Sequence, residues 1–193
     1  MKPMLIGNIE LDQSYFDFTK LLPSEELSEI TNNNLVKILY KENNGFPTEL
    51  MNNYYDKLFL TYKDLIFNIS SRTNPYMILI FKNVKEHEDT AFSEEDGRKI
   101  FFTTLMLQGS GQLITHDSEG YNSLTMEKGD VVILDPLTTH KFQSSNDNFN
   151  FMLHVCIHLN VNIEKHLLGY RYDNYIEKTY DKLSLTYKDY PIK

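Results

Sequence analysis

From residue 76 to residue 159 the chain is an almost unbroken succession of short strand-like segments divided by turn residues, and this run constrains the fold more than any other feature. Residues 76–81 (YMILIF) are continuously apolar, which suits a strand covered on both faces. Residues 100–107 read as a second buried strand, ended by a turn or bulge at Gly109-Ser110-Gly111. Residues 112–115 and 123–126 predict a hairpin around His116-Asp117-Ser118-Glu119-Gly120, and a turn at 127–130 leads into a strand over 131–134. In the last segment, 149–159, Phe151, Leu153, Val155, Ile157 and Leu159 fall on one face. Asn150, Met152, His154, Cys156 and His158 fall on the other, the face expected to look into a barrel.

Ahead of the strands, residues 4–11 (MLIGNIEL) predict an edge strand or extended arm. Leu22-Pro23-Ser24-Glu25-Glu26 marks a helix start, with Ser24 as cap and acids in the first turn, and the helix is expected to stop near Asn32-Asn33-Asn34. A short strand is expected over 35–40. Leu50, Tyr54, Leu58, Tyr62, Leu65 and Ile69 recur at helical spacing, predicting a helix over 48–70 that packs on the outer face of a sheet. Arg72-Thr73-Asn74-Pro75 would end it.

The chemistry gathers at the ends of the segment 84–142. It opens on Val84-Lys85-Glu86-His87-Glu88-Asp89 and closes on the Val131-to-Leu134 strand followed by Asp135-Pro136-Leu137-Thr138-Thr139-His140. In a strand, residues i and i+2 point the same way, so His87 and Asp89 would present an imidazole and a carboxylate side by side. A second imidazole, His140, would complete three ligands on one face of an octahedron. Two histidines and one carboxylate with open positions opposite suit non-haem Fe(II) and its activation of O2. His116 and Asp117 sit at the expected hairpin tip and are read as surface residues. A zinc site of His154, Cys156 and His158 has suitable donors, but alternate residues of one flat strand do not readily converge on a tetrahedral ion.

The segments YMILIFKNVKEHED, FFTTLMLQGSGQLI and GDVVILDPLTTHKF resemble the iron- and 2-oxoglutarate-dependent dioxygenases, over about residues 74–159. The last segment also looks like the second motif of the cupins, which share the double-stranded β-helix (jelly roll). Cupins usually place His-x-His and then Glu shortly before a glycine turn, whereas here Asp89 follows Glu88 and a long interval runs to Gly109. The resemblance implies a mainly β fold with flanking helices. A jelly-roll core over about 74–160 would have helices packed on one sheet, a helical N-terminal part over about 22–70 and a helical tail over about 162–193, all in one domain. It further implies Fe(II) held by His87, Asp89 and His140, with 2-oxoglutarate and O2 consumed in hydroxylation of an unknown substrate.

One departure from the family bears on the cosubstrate. Many members hold the far carboxylate of 2-oxoglutarate with an Arg or Lys on the strand after the second histidine, and no Arg or Lys occurs between Phe142 and Asn162. Another branch takes the basic residue from the strand after His-x-Asp, where Arg98 and Lys99 stand; His154 is a third candidate for the acid. The alternatives are a cupin-like metal- or small-molecule-binding module, and an inactive relative acting through protein interaction.

The net charge of −8 argues against a general nucleic-acid binder, and the single cysteine, Cys156, excludes an internal disulfide framework. No signal peptide or membrane-spanning stretch is read, so a cytoplasmic protein without a membrane partner is the expectation, with a homodimer as one arrangement by analogy. YDKLFLTYKD at 55–64 returns as YDKLSLTYKD at 180–189; two copies do not make a solenoid.

Overall fold

A computed structural model describes residues 3–11, 18–33, 35–40, 43, 45–69, 76–89, 94, 95, 98–118 and 120–159. The expected tail over 162–193, and with it the second decapeptide copy, lies outside the described residues.

The strands are β1 (Met4–Asn8), β2 (Lys37–Tyr40), β3 (Ile66–Ile69), β4 (Tyr76–Phe81), β5 (Val84–His87), β6 (Glu94–Glu95), β7 (Arg98–Lys99), β8 (Phe101–Gln108), β9 (Gly111–Asp117), β10 (Gly120–Met126), β11 (Asp130–Leu134), β12 (Thr139–Ser144) and β13 (Asn150–Leu159). The α-helices are α1 (Ser24–Asn33) and α2 (Thr48–Thr61).

Four antiparallel pairings define the architecture: β9 with β10, β8 with β11, β5 with β12 and β4 with β13. They nest, so the chain from β4 to β13 is one long hairpin whose tip is the β9–β10 turn. Winding that hairpin on itself adds β8–β13 and β9–β12. Two sheets result, one ordered β1-β11-β8-β13-β4-β2 and the other β10-β9-β12-β5. This is the strand order of a cupin-like jelly roll, with edge strands β1 and β2 added to the larger sheet. A two-residue ladder pairs β6 with β7.

The larger sheet is apolar on both faces. Outward, Ile78, Ile80, Phe101, Leu105, Val131, Ile133 and the odd-numbered residues of β13 pack against Ile30 of α1 and Met51, Tyr54 and Leu58 of α2. Inward, Phe81, Met106, Val132 and Met152 meet Leu113, Met126 and Phe142 of the smaller sheet. The alternation expected for β13 is thus realised, and the helices lie on one sheet.

The second helix differs from its expectation. It ends at Thr61, where the Tyr62 N–H closes on Leu58 O at 3.0 Å, and residues 66–69 form β3 instead. Residues 157–159 of β13 extend past β4 and leave ladder positions open, which β3 fills. A strand pairing available only in the fold outweighs the continued helical spacing of Leu65 and Ile69. The buried stripe is Met51, Tyr54 and Leu58, one position round from the expected Leu50.

Candidate metal centre

His87 ends β5 and His140 lies near the start of β12. The winding makes these strands neighbours and sets the two histidines directly opposite in register. Directly paired residues share a face of the sheet, so both imidazoles point into the sandwich. Their ring centroids are 4.3 Å apart. Each ring is fixed by a backbone carbonyl two residues earlier in the chain. His87 Nδ1 is 2.8 Å from Lys85 O, and His140 Nδ1 is 2.8 Å from Thr138 O. A carbonyl only accepts, so each Nδ1–H donates and each Nε2 presents its lone pair inward.

Asp89 lies two residues beyond His87, its N–H donating to Pro136 O at 2.9 Å. Its Oδ1 is 3.7 Å from His87 Nε2 and its Oδ2 is 3.4 Å from His140 Nε2. One donor atom from each of the three residues lies within 4.8 Å of the others. Burial pushes the Asp89 carboxyl up, but the hydrogen bond with His140 and the imidazoles of His154, His140 and His87 outweigh it and hold the group below the usual carboxylate range.

Two imidazole nitrogens and a carboxylate turned toward one point need a cation among them, either a proton, as in the His140–Asp89 hydrogen bond, or a metal ion. Adjacent donors around one ion at 2.0–2.2 Å are about 3 Å apart in an octahedron and about 3.4 Å in a tetrahedron; the two carboxylate–imidazole spacings of 3.4 and 3.7 Å are near these, and all three donors lie within 4.8 Å of one another. The donor set, its tautomers and its spacing fit a divalent transition metal.

Behind the ligands runs a supporting turn. Asp135 Oδ1 accepts from the Leu137 N–H at 2.9 Å, and the Thr138 N–H donates to Asp135 O at 2.9 Å. This turn supplies both Pro136 O to Asp89 and Thr138 O to His140. Lys99 Nζ lies 2.9 Å from Asp135 Oδ1, with both side chains 7% exposed. Lys99, a candidate for the acid of 2-oxoglutarate, is therefore ion-paired behind the site. Asp135 was not among the residues singled out from the sequence. The available signal was the Asp-Pro pair, which favours a turn, but nothing local names its cationic partner.

The three ligand candidates line a cavity of about 430 Å3 between the sheets. From the larger sheet His154 and Thr104 also line it, directly opposed in register. His154 is buried; burial, partly opposed by the Asp89 carboxylate, pushes its pKa down to about 4 and keeps it neutral. Thr104 Oγ1 is 3.5 Å from His154 Nδ1, and His154 Nε2 has no hydrogen-bond partner among the described residues. Nothing is described of the Arg98 side chain.

The alternative zinc residues do not converge. Cys156 is buried with Met77, Ile100, Phe102 and Leu134, and His158 Nδ1 is 3.0 Å from Lys99 O. At the hairpin tip the exposed His116 stacks on Tyr121 with ring centroids 4.3 Å apart. Among the described residues no helix is long and apolar enough to cross a membrane.

No family model matches this chain, and no curated protein does. Solved structures do. The Drosophila melanogaster CENP-C cupin domain is 15% identical with a TM-score of 0.35, over 45% of this chain and 63% of that one. Drosophila melanogaster CENP-C bound to CAL1 is 13% identical with a TM-score of 0.34, over 45% and 64%. Bacillus subtilis oxalate decarboxylase OxdC is 11% identical with a TM-score of 0.34, over 42% and 20%. The chain spans less than two thirds of the length of each, and the jelly-roll assignment rests on the strand order above.

Proposed function

We propose that this chain is a cupin-like metalloprotein in which His87, Asp89 and His140 hold one divalent transition-metal ion, Fe(II) by preference. The observation that carries the reading is the convergence of two Nε2 lone pairs and a carboxylate, each imidazole oriented by its own carbonyl. Bound Fe(II) would supply O2 activation for oxidation of a small organic substrate, with 2-oxoglutarate as cosubstrate. The protein would hold the ion through three side chains on one side and leave the cavity side open. The apolar walls would keep water from the reacting groups. Among the three residues expected to hold the acid of 2-oxoglutarate, His154 is the one whose described side chain lines the cavity.

A metal-dependent binding module without turnover is the second reading. It is favoured by the pairing of Lys99 with Asp135, which leaves Lys85 as the one Lys or Arg among the described cavity-lining residues.

Titration of metal-free full-length protein with Fe(II) under anaerobic conditions, followed by thermal unfolding, tests the centre. At a hundredfold excess over Kd a bound metal adds about 2.7 kcal/mol of stability. Asp89→Ala and His140→Ala should each remove that gain. An equal gain in both variants would end the proposal. Succinate release from 2-oxoglutarate, Fe(II) and O2 then separates the oxygenase from the binding module.

A further inference from the structure

The cavity is far less polar than a metal centre alone requires. Met77, Leu79, Phe102, Leu134 and Met152 of the larger sheet form one apolar wall, with Leu113, Met126 and Phe142 opposite. The inward polar groups are the three metal-ligand candidates, His154 and Thr104. His154 is 7% exposed and its Nε2 has no partner among the described residues. A buried nitrogen left without a hydrogen bond is costly, and it becomes intelligible when a ligand atom supplies the bond.

The opening also has a chemical character. Leu35, Val36 and Ile38 line the cavity and are 44%, 37% and 37% exposed. They belong to β2 and the residues just before it, at one end of the larger sheet, while exposed Lys85 lies on β5 at an end of the smaller one. The mouth is therefore the gap between two edge strands, apolar on one lip and cationic on the other.

We infer that the cavity binds a small molecule with an apolar body and a single oxygen-bearing head group, its head hydrogen-bonded to His154 Nε2 and its body along the Met77, Leu79 and Met152 wall. This deepens the metal-centre reading and rests on it for the fate of the ligand, since the head lies toward the ion. The volume admits roughly ten to fifteen non-hydrogen atoms, at about 30 Å3 for each water-sized group. Cavities of this size with apolar walls and a few placed polar groups bind compact organic ligands. Sugars are disfavoured, and so in the metal-free protein are short diacids, because a second carboxylate that no ion takes up would face side chains that offer no hydrogen bond.

Decanoate is a suitable probe and succinate its polar control. Calorimetric titration of metal-free full-length protein should show decanoate binding with a negative heat-capacity change, the mark of buried apolar surface. Succinate should bind at least a hundredfold more weakly. His154→Phe, which keeps a planar ring but removes Nε2, should weaken decanoate at least tenfold. Val36→Glu sits on the exposed lip, where it does not threaten folding, and should weaken decanoate at least fivefold. Undetectable decanoate binding, succinate binding as tight as decanoate, or full affinity in folded Val36→Glu would each overturn the inference. Fe(II) titration of the same samples reads the metal centre separately, so metal bound without decanoate sinks only the ligand class, and decanoate bound without metal sinks only the centre.

Discussion

The outer and inner faces of the larger sheet are built from the same strands and make opposite use of them. Outward, Ile78, Leu105, Ile133 and Leu153 are fully buried against α1 and α2. Inward, one residue along each strand, Leu79, Thr104, Leu134 and His154 line a cavity. Period-two alternation lets one set of strands carry a packed core and a site without either disturbing the other. The contrast also explains how a neutral buried histidine is tolerated, since the stability forfeited on the inner face is offset by the dense packing on the outer one.

The contrast would break if a core change on the outer face altered the site. Phe151, fully buried and 5.6 Å from Phe18 by ring centroids, should show the largest effect. Phe151→Ala should lower unfolding free energy in urea by about 3–5 kcal/mol. Its folded fraction should keep wild-type Fe(II) affinity; a tenfold loss would show that the faces are coupled.

Lys99→Met probes the inner side from behind. It leaves Asp135 buried and unpaired, which should destabilise the chain by about 3–5 kcal/mol. It should also lower metal affinity by about 10–100-fold, because the turn that holds Asp89 and His140 loses its anchor. Metal affinity unchanged in the folded variant would mean that the turn stands without Lys99.

Acid sharpens the comparison, because the charge change lies on the inner face. An unfolded histidine takes up its proton near pH 6.5, and folded His154 does so near pH 4. Its folded pKa is depressed, so its contribution is fully present above about pH 6.5 and is lost as pH falls toward 4, on the order of 3 kcal/mol in the metal-free protein. The lowered carboxyl pKa of Asp89 acts in the same direction, with loss as pH falls through its folded value. Urea midpoints of His154→Leu across that window should be nearly flat where the wild type declines. An unchanged slope would place the titrating group elsewhere.

The smallest effect is expected farthest from both faces. His116→Ala, at the exposed hairpin tip, should change stability by less than about 0.5 kcal/mol and leave metal binding alone.

Local pattern carried much of this structure. Continuous apolar runs marked β4 and β8, and strict alternation marked both faces of β13. Turn residues placed the β9–β10 hairpin, and Glu25 and Glu26 lie in the first turn of α1 as expected, but Ser24 is its first helical residue and Pro23 stands in the cap position, its carbonyl accepting from the Leu27 N–H at 3.1 Å. The i, i+2 spacing of His87 and Asp89 predicted donors on one side of a strand, but β5 ends at His87, and Asp89 is placed by its N–H bond to Pro136 O. Where spacing alone was followed too far, as in extending α2 over 62–70, a β13 edge with open ladder positions decided otherwise.

Sequence by itself determined which residues face together along any one strand, because that depends only on the backbone's two-residue period. Tertiary structure alone decided which strands meet: that His140 lies opposite His87, that Lys99 is spent on Asp135, and that Leu35, Val36 and Ile38 rim a cavity. Those contacts join residues far apart in the chain, and their partners are set by how the long hairpin winds, which no local period encodes.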